Sequence, residues 1–252
     1  MIKLFRKIRQ KLLVENRFNK YLLYAIGEIV LVVIGILIAL QINNWNDHRK
    51  ETLEMHQYLA KIRDNVALDI TVLDSIKLRR TNMQIICAEA TKKIMQNQFD
   101  INTFMESVQA FVEYYFVPNQ SGFEALKNSS YLGKINGTKL DRLLDDYYST
   151  INQIIKEEEG FNALIENMEY RFVGNNDLTQ MMVLYFQGIE TLKQDPVKFE
   201  AIENRMHSLY NDNAYRAIIT RTASQTAMLR MYDDVIKQGR QVILEINNMV
   251  ND

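Results

Sequence analysis

Two prolines and nine glycines in 252 residues leave this chain little punctuation. Such scarcity argues against a turn-rich β fold and for long helices. Cysteine occurs once, at Cys87, so no internal disulfide can form and no cysteine metal site exists. The three histidines, His48, His56 and His207, share no metal-ligand spacing. Glu203 and His207 lie one turn apart, but no second such pair completes a di-iron bundle. There is no glycine-rich phosphate loop, nucleophile elbow or HExxH motif. The expectation is a protein without catalysis, cofactor or metal. An excess of basic charge is missing too. Formal net charge is −1, and residues 43–252 carry 23 Lys and Arg against 29 Asp and Glu. Nucleic acid is excluded as a partner on that balance.

What the sequence does contain is one long apolar run, Leu22–Ile42, with a single ionisable group, Glu28. At about 1.5 Å of rise per residue its 21 residues span roughly 31 Å, the thickness of a hydrocarbon core. A transmembrane helix over 21–43 is predicted. A cleaved signal peptide would have a shorter apolar region ending in small residues, whereas this run passes into Gln41-Ile-Asn-Asn-Trp45. The first 20 residues hold seven Lys and Arg against one acid, so this flank is expected in the cytoplasm and the rest exported. Ile2, Phe5, Ile8 and Leu12 recur at helical spacing between Lys3, Arg6, Lys7, Arg9 and Lys11. That pattern suits a helix lying on anionic lipid, with a flexible basic tail as the alternative. Trp45 is placed to anchor the opposite interface.

The remaining chain reads as helix throughout. From Met55 to Ile94 apolar residues step by three or four, apart from a gap where Arg80 falls on the stripe. The membrane helix is expected to continue to about Gln96, with a kink at Asn43, Asn44 and Asn46 as its natural interruption. Cys87 lies on the stripe as a small buried hydrophobe. A second helix is expected from Thr103 to Phe116, ended by Pro118. A short capped helix follows at Ser121, then a turn region with Gly133 and Gly137. Thr138 and Asp141 form a variant capping box opening a long helix. Within that helix Lys156-Glu-Glu-Glu-Gly160 reads as a solvated face. Gly174–Asp177 ends it, and a shorter helix reaches about Lys193. Asp195-Pro196 opens a further helix to Tyr210, and the last runs from Ala214 to Met249. The fold class expected is all-α, one N-terminal transmembrane helix continuing into an elongated periplasmic antiparallel bundle. Its divisions are 1–20 cytoplasmic, 21–43 membrane and 44–252 periplasmic.

The segment AIGEIVLVVIGILIALQINNWND (Ala25–Asp47), preceded by FRKIRQKLL, resembles a family of single-pass inner-membrane proteins of Bacteroidota. SGFEALKNSSYLGKINGTKLDRLLDDYY (Ser121–Tyr148) is similar to a stretch that recurs in that family. The resemblance implies a Gram-negative inner membrane with the bulk of the chain in the periplasm. It brings no activity with it.

Glu28 lies about 9 Å into the hydrocarbon, where a carboxylate must be protonated or face a protein partner. Tyr24 is one turn before it, and Gly35 and Ala39 form a small-xxx-small pair on roughly the same side. Together Tyr24, Glu28, Gly35 and Ala39 are the expected intramembrane association face, for a homo-oligomer or another inner-membrane protein. Membrane lipid is the other expected partner. The alternative is proton coupling through Glu28, since the layout is similar to B-type subunits of ion-driven stators. A periplasmic ligand-binding or sensor module using Phe111, Tyr114, Tyr115 and Phe116 is a further alternative, although aromatic core is the simpler reading.

Overall fold

A computed structural model describes residues 18–251, and every regular element among them is helical. Lys3, Arg6, Lys7, Arg9 and Lys11, expected at the lipid surface, lie outside the described residues, as does the side chain of Tyr24. The chain divides into two compact units, Met1–Gln57 and Tyr58–Asp252.

Helix α1 runs unbroken over Phe18–Met95. The kink expected at Asn43, Asn44 and Asn46 does not interrupt it. Their propensity cost is only about 0.7 kcal/mol each or less, and Asn43 Nδ2 donates to Asp47 Oδ2 one turn on at 2.9 Å. In the first unit α1 exposes its apolar side chains all round.

The second unit has a filled core. Leu59, Ile62, Val66, Leu73, Ile76, Met83, Cys87 and Ala90 on α1 are all buried, at the three-and-four spacing of the sequence. After α1 comes α2, Ile101–Ser107, whose N-cap Asp100 accepts from Thr103 N. A 3-10 turn, Val108–Phe111, ends it. The helix expected to reach Phe116 therefore stops at Phe111. From Val112 to Gln120 the chain has no helical assignment and forms a strap.

The strap runs back along α1. Tyr114 O meets Arg80, Asn119 N meets Asp69, and Gly122 N meets Asn65, each contact nearer the start of α1. The chain from Tyr114 to Asn119, extended, spans about 17 Å, the same as the roughly 17 Å of helix between Asp69 and Arg80. Helix propensity loses here because side chains of α1 and of the later long helix satisfy the backbone directly.

Helix α3 (Ser121–Lys127) sets Gly122 against α1. A Cβ there would come 2.8 Å from Ile62 N and from Asn65 Oδ1, so only glycine permits this approach. Helix α4 (Leu132–Ile135) leads to Gly137 at φ +73. Helix α5, Lys139–Asn175, begins on the expected cap. Thr138 accepts from Asp141 N at 3.3 Å, and Asp141 reaches back to Gly137 N at 2.8 Å.

Because the strap returns the chain to the start of the unit, α5 runs in the same direction as α1. Tyr147 meets Asp69 and Asn162 meets Arg80. The expectation that neighbouring helices alternate fails for this pair, since an extended crossover replaces a helical one. Helix α6 (Thr179–Gln187) and α7 (Ile189–Leu192) are separated by Gly188 at φ +77. Helix α8, Pro196–Tyr210, starts at Asp195-Pro196 as expected, with Asp195 accepting from Lys198 N at 3.1 Å. The single last helix expected from the sequence is two, α9 (Asn213–Ala223) and α10 (Thr226–Asn251). At the break Gln225 is buried and its Nε2 donates to Arg80 O at 3.0 Å. Helix α10 is antiparallel to both long helices. Lys77 pairs with Asp233, Gly239 packs on Val66 and Ile70, and Lys139 pairs with Glu245 at 2.6 Å.

Candidate functional site

Two features stand out: a buried polar core in the second unit, and the apolar span of the first.

In the polar core, Arg80 is 3% exposed and Glu158 1% exposed. Glu158 corrects the reading of Lys156–Gly160 as a solvated face. Glu157 and Glu159 do face solvent, but Glu158 accepts from Phe116 N at 2.7 Å and from Tyr232 OH. Arg80 Nη2 donates to Tyr114 O at 2.8 Å, and the same carbonyl accepts from Asn162 Nδ2 at 2.9 Å. The guanidinium carbon lies 5.0 Å from the Phe161 ring centre and 5.8 Å from that of Tyr114, giving cation–π support on two sides. Asp69 accepts from Asn119 N at 2.9 Å and Tyr147 OH at 3.2 Å. Burial raises its carboxyl above the usual range, against the lowering effect of both hydrogen bonds. Burial likewise pushes up the phenols of Tyr147, Tyr215 and Tyr232, so they act as neutral donors.

This network holds a strap, and its chemistry is structural. Each buried charge on α1 and α5 is engaged with strap backbone, and the cavity beside Arg80 is only about 10 Å³. That is space for a water at most. Burial pushes the Cys87 thiol to about 12, leaving it protonated and inert. Among the described residues no three His, Cys, Asp or Glu form a metal-binding group. Of the aromatics weighed as a pocket, Phe116 is buried in the core, Phe111 and Tyr114 are partly covered, and Tyr115 is exposed. Of the anchors only Arg80 stood out in the sequence, as the charged residue that falls on the apolar stripe; Asp69 and Glu158 did not. Their shared target did not either.

The apolar span is different in kind. One helix among the described residues is long and apolar enough to cross a membrane; its most apolar 18-residue window has mean hydropathy 2.6 and none of it is buried. At about 100° per residue, Glu28, Gly35 and Ala39 fall within roughly 40° of one another around the helix. Glu28 is partly covered, and the space where a Gly35 Cβ would stand is open. Trp45 is exposed and lines a shallow groove with His48, Arg49 and Leu53.

A family model matches residues 28–180, more than half of the chain. The chain belongs to DUF6090, a family of unknown function. No curated protein and no solved structure matches it. The DUF6090 match takes in most of the apolar span, the strap, its four anchors Asp69, Arg80, Glu158 and Asn162, and Asn65 against α3. Gln225 and Tyr232, which close the network from α9–α10, lie beyond it. The DUF6090 match therefore includes α1 from residue 28 on, the strap and α5, the two parallel helices and the crossover between them.

Proposed function

We propose that this protein is a single-pass inner-membrane anchor carrying a helical periplasmic domain that scaffolds or binds another envelope component. The observation that carries the reading is the unburied apolar window of α1. A contiguous apolar surface of that size is not tolerated in water, and lipid is the solvent that covers it. The second unit has its own core and no need of that surface. The excess of Lys and Arg before the span supports a cytoplasmic N-terminus, with Lys3, Arg6, Lys7, Arg9, Lys11 and Trp45 at the lipid interfaces. Tyr24, Glu28, Gly35 and Ala39 are the proposed association face, toward a second copy or another membrane protein. No catalytic role is proposed.

The topology is tested by labelling intact spheroplasts with a membrane-impermeant maleimide. Cys87 is buried and gives a silent background. Val197→Cys, at an 80% exposed position, should label at once. Gln10→Cys should label only after permeabilisation. The reverse pattern would invert the orientation and end the proposal.

A further inference from the structure

We propose that a groove between the strap and the C-terminal half of α5 receives a basic, apolar-flanked peptide segment of a partner protein. The groove has a volume of about 540 Å³ and is lined by Phe111, Glu113, Glu166, Glu169, Tyr170 and Val173. Its volume lies in the range of formed ligand sites, about 300–1,000 Å³. Apolar and acidic side chains share its lining. Phe111 packs edge-on against Phe172 with centroids 5.2 Å apart, while Tyr170 and Val173 present exposed apolar surface.

The lining charges are all of one sign. Three carboxylates and no Lys or Arg border the groove. Among the described residues no cation forms an ion pair with Glu113, Glu166 or Glu169; the α5 pair with Arg221 is made by Glu157, more than two turns earlier. Glu113 is held in place by the Tyr115 hydroxyl at 2.8 Å. Like carboxylates gathered among apolar side chains select a cation with an apolar stem or neighbour.

The strap argues for a peptide over a small cation. In extended chain, successive residues turn their N–H and C=O groups to opposite edges. Tyr114 O and Phe116 N face the core, where Arg80, Asn162 and Glu158 hold them. Glu113, Tyr115 and Val117 then offer the outer edge, and Val112, Tyr115 and Val117 have exposed side chains. Such an edge can pair with an added extended segment. Glu113 belongs to both features, the first outward residue of the strap and a wall of the groove.

The test uses the full chain in phosphatidylcholine nanodiscs and a fluorescein-labelled decapeptide alternating lysine and valine, with empty nanodiscs as the blank. Saturable binding by anisotropy is expected, weakened about ten-fold or more by raising salt from about 50 to about 500 mM. Glu166→Gln with Glu169→Gln, on a solvent face and checked for unchanged helicity, should weaken it by a similar factor, and Tyr170→Ala should also reduce it. A glutamate–valine decapeptide should not bind. Absence of binding, or equal affinity for the double variant, overturns the proposal. Displacement of the peptide by equimolar spermidine also overturns it, in favour of a small-polycation site. The assay is indifferent to membrane orientation, so its failure is separate from a failure of the topology.

Discussion

Arg80 Nη2 donates to the carbonyl of Tyr114 at 2.8 Å, tying the C-terminal quarter of α1 to the first part of the strap. This contact explains why a permanently charged residue interrupts an apolar stripe. An extended segment inside a helical bundle has no ladder of its own, so its inward N–H and C=O groups need side-chain partners. Arg80, Asn162, Glu158 and Asp69 supply them in order along the strap, and Asn65 receives Gly122 N where α3 begins.

Removing the cation should therefore be costly. Arg80→Met is expected to destabilise the second unit by about 1–3 kcal/mol, since buried Gln225 Oε1 loses its donor and Tyr114 O is left with Asn162 alone. Urea unfolding of the full chain in nanodiscs, followed by far-UV circular dichroism, measures this. Adding Glu158→Gln to Arg80→Met should cost less than the sum of the single changes. Strict additivity would show that the two residues do not share a network.

Two glycines in helices should respond with opposite signs. Gly122→Ala places a methyl 2.8 Å from Ile62 N, which is backbone and cannot yield, so a loss of about 1–3 kcal/mol is expected. Gly160→Ala in α5 meets nothing within 4 Å and should stabilise by about 0.5–1 kcal/mol. The same unfolding assay reads both. Equal effects would remove the close approach of α3 and α1.

The Asp69 carboxyl gives a pH test. Its folded pKa is raised by burial, so the unfolded chain releases this proton first as pH rises. Stability from this group is full below the ordinary carboxylate value of 3.8 and falls as pH climbs from there through the raised folded value. Asp69→Asn lacks that loss while keeping an oxygen for Asn119 N. The stability of the variant relative to the natural chain should therefore grow between acid and neutral pH. A flat difference would show that the carboxyl is not desolvated.

In the apolar span, Glu28→Leu should weaken association by about 1 kcal/mol, roughly five-fold, in a dilution series of the full chain in detergent. Glu28→Gln should retain association, because an amide still hydrogen-bonds. Unchanged oligomeric state in Glu28→Leu would remove the face formed with Gly35 and Ala39. Loss of function in Glu28→Gln with association intact would instead favour proton coupling.

The sequence by itself determined the apolar span, the all-helical class, the buried stripe of α1 and the caps at Thr138 and Asp195. These features are local. A hydrophobic period, a run length or a capping residue is decided within a few residues, and the physics that reads it acts over the same range. Only the tertiary structure decided that α2 stops short of Phe116, that Glu158 is buried while Glu157 and Glu159 are not, and that the last helix breaks at Gln225. Each of those depends on a partner on a distant element: Arg80 for Tyr114, Phe116 for Glu158, and Arg80 again for Gln225. A backbone group satisfied by a side chain 34, 42 or 145 positions away leaves no periodic trace in its own neighbourhood. The parallel course of α1 and α5 follows from that strap, and so it too was settled by packing.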